Sequence, residues 1–201
     1  MSHTPRPRRR SLLVLAALCS ALALVVAACG DDESSGGGGS SGGKKSYKMT
    51  LIAGVKGDEF YITMNCGAQA KAKELGVQLD FQGPQEFDAA QQTPIVNAVA
   101  AKKPDAVLIA PTDTKALYAP IKQMADAGTK IVMVDTTLEK PDMAESQIAS
   151  DNEAGGKNAA ETLAKLIGGK GKVFVVNVKP GISTTDAREK GFEAGAKAAG
   201  L

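Results

Sequence analysis

From Lys48 onward, short apolar runs alternate with longer stretches whose apolar positions recur every three or four residues. The runs 49–54, 77–81, 106–110, 131–134 and 173–178 are mostly apolar and read as strands, apolar on both faces in the manner of a covered sheet. Between them, Phe60, Met64, Ala68, Ala72 and Leu75 form one stripe at helical spacing. Ile95 and Val99 with neighbouring alanines form a second, and Leu117, Ile121, Met124 and Ala125 a third. A fourth helix is predicted over 153–167 through Ala159, Ala160, Leu163, Leu166 and Ile167, and a fifth over 189–199.

The punctuation agrees with this spacing. Gly76, Gly128 and Gly168 fall where a helix end needs a left-handed residue, each soon followed by an apolar run. Asp88 with Gln91 three residues later has the form of a capping box. Alternation of this kind specifies a doubly wound α/β architecture, a parallel sheet covered on both sides. Residues 47–150 supply four strands and three helices, a complete or nearly complete lobe. Residues 151–201 supply two helices and one strand, too little to cover a sheet, and read as the truncated start of a second lobe. Gly200-Leu201 repeats the junction seen at Ala127-Gly128, so Leu201 is expected to open a further strand.

The chain before Lys48 follows another pattern. Arg6, Arg8, Arg9 and Arg10 precede an apolar run over 12–28, the order of a secretory signal. A permanent transmembrane helix is the competing reading, since about 20 apolar residues span a bilayer. The run stops at a cysteine, however, and Asp31, Asp32 and Glu33 follow. Val26-Ala27-Ala28-Cys29 resembles the lipobox of bacterial lipoproteins, which implies removal of 1–28 and acylation of the Cys29 thiol. Residues 29–46 are mostly serine and glycine and read as a tether, with an r.m.s. reach of roughly 20–24 Å for about sixteen residues.

Setting the signal aside changes the charge. Four of the 24 Lys and Arg lie in 1–28, leaving 20 against 22 Asp and Glu, so the remaining chain is nearly neutral. No nucleic-acid partner follows from such a balance. The single histidine, His3, and Cys19 also leave, and Cys66 is then the free thiol, read as a small core residue of the first helix. With no histidine, no cysteine pair and no Gly-x-Gly-x-x-Gly after a strand, neither an enzyme nor a cofactor nor a metal is expected. Gly168 to Lys172 lacks the spacing of a phosphate-binding loop.

Ligands of doubly wound sheets bind beyond the carboxyl ends of the strands. There the sequence places Asp58, Phe60 and Tyr61 after the first run, Asp113 after the third, Asp135 after the fourth and Arg188 after the fifth. Aromatic faces, carboxylates and a guanidinium fork suit a sugar, whose ring has an apolar face and whose hydroxyls pair with charged groups. Asp58 fits a helix N-cap as well as a hydroxyl acceptor, and Asp113 reads as a cap. Phe60 opens the apolar stripe and Tyr61 lies off it, which makes Tyr61 the better ligand candidate. Asp135 ends an apolar strand, where a carboxylate needs partners. Arg188 competes with a solvated helix face.

These pieces together resemble the ribose-type periplasmic sugar-binding proteins, over Lys48 to the end. The motifs are Asp58 to Tyr61, Gly67-Ala68 with Leu75-Gly76, Lys102 to Asp113, Ala127 to Asp135, Ile148 to Leu163 and Ser183 to Ala194. Ser150-Asp151-Asn152 is the most specific of them. The resemblance implies the type I periplasmic binding fold, two lobes that close on a sugar, in an ABC importer. It implies that Phe60 and Tyr61 stack on the ring, that Asp135 takes hydroxyls, and that Arg188 donates to the sugar. Ser150-Asp151-Asn152 would sit at the first crossover between lobes. Ribose binders carry arginine where this chain has Thr136 and asparagine where it has Asp58, so ribose itself is not carried over. The expected partners are a small-molecule sugar, the importer's permease and a membrane reached through the lipid anchor, with the chain a monomer. A sugar-responsive repressor shares this lobe but needs an N-terminal DNA-binding helix pair; a lipoprotein feeding a membrane sensor is the main alternative, with a sugar-processing α/β enzyme behind it.

Overall fold

The computed structural model describes residues 46–201. The signal expected over 1–28, the acylation expected at Cys29 and, apart from Ser46, the tether expected over 29–46 lie outside the described residues.

Five strands form one sheet: β1 (Lys48–Ile52), β2 (Gln78–Gln82), β3 (Ala106–Ile109), β4 (Lys130–Val134) and β5 (Ala144–Ile148), with α1 (Glu59–Leu75), α2 (Ala89–Ala101) and α3 (Tyr118–Asp126) as connections. Every pairing is parallel and the order is β2-β1-β3-β4-β5. The chain moves from β1 to one side and then to the other, so its direction switches between β1 and β3. The carboxyl ends of these two strands therefore flank a crevice.

Both faces of the sheet are covered. Ile52, Val107, Ile109, Ile131 and Met133 pack with α2 and α3 through Val96, Val99, Leu117, Ile121 and Met124. The alternate residues Leu51, Ala53, Ala110 and Val134 pack with Tyr61, Met64 and Ala68 of α1. This two-sided burial is why β3 and most of β4 are continuously apolar. Between the sheet and α2, the fully buried Gln92 joins two strand ends. Its Nε2 donates to the carbonyls of Ala53 at 3.0 Å and Ala110 at 2.8 Å, and its Oε1 accepts from Thr112 N at 2.9 Å and Thr112 Oγ1 at 3.1 Å.

After β5 come α4 (Asn152–Leu166) and α5 (Ser183–Ala198). They pack backbone to backbone: a Cβ on Gly156 would collide with the Arg188 carbonyl, and one on Gly191 with the Glu153 carbonyl. The long helical stretches begin and end near their predicted bounds, except that α5 starts six residues before 189.

Two strand expectations need correction. Residues 173–178 pair with no strand among the described residues, and Phe174 and Val176 are exposed. A β-branched run is a propensity; a strand exists only with a neighbour to complete its hydrogen bonds. The sheet's fifth strand is instead Ala144–Ile148, a mostly exposed edge segment. The capping box forms by half: Asp88 Oδ1 accepts from Gln91 N at 3.0 Å, while the Gln91 side chain turns to Gln85 and Glu86. Gly76, Gly128 and Gly168 all have positive φ. Cys66 is exposed on α1, contrary to its expected place in the core.

Candidate functional site

Asp58 ends the β1 loop in extended conformation and caps α1, its Oδ1 accepting from Phe60 N at 2.9 Å. The cap starts the helix so that Phe60 and Tyr61 occupy its first turn, where they diverge. Phe60 is 54% exposed and Tyr61 only 3%. Their rings meet edge to face, 5.2 Å between centroids, and Phe87 lies 6.2 Å beyond Tyr61. The buried stripe of α1 therefore starts at Tyr61 and not at Phe60.

Tyr61 points its phenol across the carboxyl ends of the sheet and donates to Asp135 Oδ2 at 2.6 Å. Space for that hydroxyl exists because residue 54 is glycine: a Cβ there would lie 2.5 Å from the phenol oxygen and 2.6 Å from Phe87 Cζ. Asp135 follows β4 with φ 63°, a left-handed conformation that aspartate tolerates better than most residues. Its N–H donates to Ile148 O at 2.8 Å, tying the turn to β5.

The electrostatics follow from burial. Burial is the main cause that raises the Asp135 carboxyl above the usual aspartate range; the Tyr61 hydrogen bond and the Arg188 charge pull it down, and Asp58 pushes it up. Tyr61 is raised beyond any ordinary titration, first by burial, then by its hydrogen bond to Asp135 and the nearby carboxylates. Its phenol keeps its proton and serves as a fixed donor.

Arg188 reaches the same place from α5. Its Nε donates to Asn152 Oδ1 at 2.7 Å, and Asn152 is largely buried at the start of α4. Asn152 in turn donates to Ser150 O at 3.0 Å, while Asp151 caps α4 by accepting from Ala154 N at 3.0 Å. The Ser-Asp-Asn motif thus starts a helix and holds a guanidinium. Sequence reasoning missed the second role because the partner lies 36 residues on.

Asp58, Phe60, Tyr61, Asp135 and Arg188 line one cavity of ≈ 320 Å³. Phe87, Val178, Ile182, Thr184 and Thr185 complete its wall and had not been singled out from sequence. A hollow of similar size, ≈ 330 Å³, lies at the opposite end of β1 and β2, beside Lys48, Asp80 and Lys102. Size does not separate the two, nor does charge, since Lys102 and Asp80 pair at 3.7 Å in the second; what does is that the first lies at the carboxyl ends of the strands, at the topological switch point. Asp113 stays outside that wall as a cap, Oδ1 accepting from the backbone of Lys115 and Ala116. Thr136 is buried with an unpaired hydroxyl and also lies outside it. Two hydrogen bonds join the sheet side to the α5 side at the rim: Thr137 N to Ser183 Oγ at 2.9 Å and Thr114 N to Gly181 O at 3.0 Å. Among the described residues no group of three or more His, Cys, Asp or Glu side chains is placed to hold a metal ion.

Comparison with known proteins places the fold in a family. Residues 49–200 match the family described as the periplasmic binding protein domain. The chain is 30% identical over 149 residues to the ribose import binding protein of Bacillus subtilis, covering 74% of this chain and 48% of that protein. It is 30% identical over 166 residues to a D-ribose/D-allose-binding protein of Pseudomonas aeruginosa, covering 77% and 51% respectively. Among solved structures, an ABC transporter solute-binding protein of Agrobacterium vitis bound with α-D-tagatopyranose matches with a TM-score of 0.75 at 48% identity, over 77% of this chain and 55% of that one. The chain spans about half the length of the curated relatives it matches.

Proposed function

The chain belongs to the periplasmic binding protein domain family, and from that premise we propose that it is the solute-capturing component of an ABC importer, binding a monosaccharide or related polyol without altering it. The observation that carries this reading is the shared cavity of Asp58, Phe60, Asp135 and Arg188, lined by two carboxylates and a guanidinium that each make one hydrogen bond within the protein. Hydroxyl groups supply both the donors that the carboxylates need and the acceptors that the guanidinium needs. Hydrogen bonds to charged groups contribute roughly 1.5–3 kcal/mol each, so four or five, less ordering costs, support micromolar binding at about −8 kcal/mol. The exposed Phe60 ring provides a face for the apolar side of the sugar.

In this reading residues 47–150 form the first lobe, residues 151–201 begin the second, and the protein works as a monomer. It is exported, cut before Cys29 and held at the membrane by acyl chains on that cysteine. Its Agrobacterium vitis relative carries tagatopyranose, so ketohexoses head the candidate guests, with aldopentoses and inositols beside them. The test is a thermal-shift panel of those sugars on the full-length protein, followed by calorimetry. Asp135→Ala and Arg188→Ala are each expected to weaken the selected sugar at least tenfold. Unchanged affinity in both variants would remove the cavity from the binding site. No shift with any sugar would remove the function.

A further inference from the structure

The family resemblance makes Tyr61 a ring that stacks on the guest. The geometry gives it other work. The ring is 3% exposed, so almost none of its face is open to a ligand, and the neighbouring Phe60 is the aromatic that is open. The one polar atom of Tyr61 is committed to Asp135 Oδ2 at 2.6 Å. Gly54 leaves that hydroxyl its place, and packing against Phe87 holds the ring from behind. Asp135 itself is fixed by its left-handed turn and by its N–H to Ile148.

We propose that Tyr61 is a positioning residue that clamps one oxygen of Asp135, so that the other is presented to the guest in a single orientation and the site is open only while that carboxylate is ionised. The proposal rests on the monosaccharide reading for its consequence, though not for its geometry. The charged and titratable groups facing Asp135 are Tyr61 from α1, Asp58 from the loop before α1 and Arg188 from α5. Burial and Asp58 favour the protonated acid; Tyr61 and Arg188 favour the carboxylate. A protonated Asp135 turns from acceptor into donor at one oxygen and no longer matches a hydroxyl proton. Sugar affinity therefore falls as pH drops through the Asp135 midpoint. Removing the phenol deletes a group that holds that midpoint down, so the loss begins at higher pH.

Tyr61→Phe in the full-length protein removes only the oxygen and keeps the ring. The direct readout is the ¹³C carboxyl shift of Asp135 titrated without ligand; its midpoint is expected to move up in the variant. Calorimetry across pH with the selected sugar should show the affinity loss displaced upward in the same direction. In an Asp135→Asn background, Tyr61→Phe should leave the pH profile where it was. A Tyr61→Phe midpoint equal to that of the parent overturns the proposal, as does a displaced profile that persists in the Asp135→Asn background. The ligand-free titration stands whether or not any sugar binds, so failure of the monosaccharide reading and failure of the clamp give different results. If Tyr61→Phe fails to fold, the parent decides: the ¹³Cζ shift of Tyr61 should step as Asp135 titrates, and a Tyr61 signal blind to that midpoint overturns the proposal.

Discussion

Replacing Asn152 by alanine tests whether the guanidinium of the cavity is held in place by the protein or merely present. The amide makes two bonds, accepting from Arg188 Nε at 2.7 Å and donating to Ser150 O at 3.0 Å. Both vanish in Asn152→Ala, while the cap that starts α4, Asp151 Oδ1 to Ala154 N, stays. Arg188 is largely solvated, so the stability loss should sit near the ordinary value for a hydrogen bond, about 1 kcal/mol. The effect on binding has a different origin. A free arginine must be ordered by the guest, at about 0.5–1.5 kcal/mol for a flexible side chain, which is roughly a 2- to 12-fold weaker Kd. Calorimetry on the parent, Asn152→Ala, Arg188→Ala and the double variant separates the cases, with urea melts run alongside to keep folding apart from binding. If Asn152 acts through Arg188, its removal does nothing further once Arg188 is alanine. An equal loss in both backgrounds, or none in the parent, would refute the positioning argument.

Gly54→Ala places a Cβ 2.5 Å from the Tyr61 hydroxyl and 2.6 Å from the Phe87 ring; overpacking of about 1–3 kcal/mol should appear as a lower urea midpoint. Gln92→Leu leaves the carbonyls of Ala53 and Ala110 and the Thr112 N–H without their partner, so a loss of about 2–5 kcal/mol is expected, and a stability equal to the parent would contradict the bridging role. Cys66→Ser should change stability by less than about 0.5 kcal/mol, with the native thiol open to maleimide, because the residue is exposed.

How far the sequence could be read depended on what each residue faces. The strands β1, β3 and β4 were legible because alternate residues enter opposite cores, so Thr50 is the one polar position inside their runs. The strand β5, Ala-Glu-Ser-Gln-Ile, was hidden because it is an edge: it owes its conformation to pairing with β4, and Glu145 faces out to an ion pair with Lys130 at 2.6 Å. The run 173–178 shows the reverse, a strand pattern with no strand beside it among the described residues. On α1 the error was one of rotation. The helix is rich in alanine, so its apolar contrast is weak, and a stripe through Met64, Ala68 and Ala72 can be started at Phe60 or at Tyr61 with helical spacing either way. The turn at Asp58 decides between them, and its geometry is not written in the periodicity. Cys66 lies on the face opposite Met64, Ala68 and Ala72 whichever residue starts the stripe, so its exposure was legible in the spacing and only its small apolar side chain argued for the core. Asp135 was legible because an acid ending a buried strand has few explanations; Asn152 was not, because its partner is distant in sequence.

The three charged groups of the cavity share one design. Asp58 is held by a helix N–H, Asp135 by a phenol and Arg188 by an amide, so every holder is neutral and every holder comes from the protein. Each charge is thereby oriented before a guest arrives, and part of the ordering cost is met in folding and not in binding. Neutral holders also leave the net charge of the site intact: two carboxylates against one guanidinium, an excess of one negative charge. That excess opposes an anionic guest. It is matched by a guest with several O–H donors and oxygen acceptors on an apolar ring, because such a guest satisfies both signs without adding a charge of its own. The ribose-type pattern of an extra arginine after the strand-four aspartate would have cancelled the excess. Here Thr136 stands in that position, buried and turned out of the wall, so the balance of the site rests on Arg188 and on the residue that holds it.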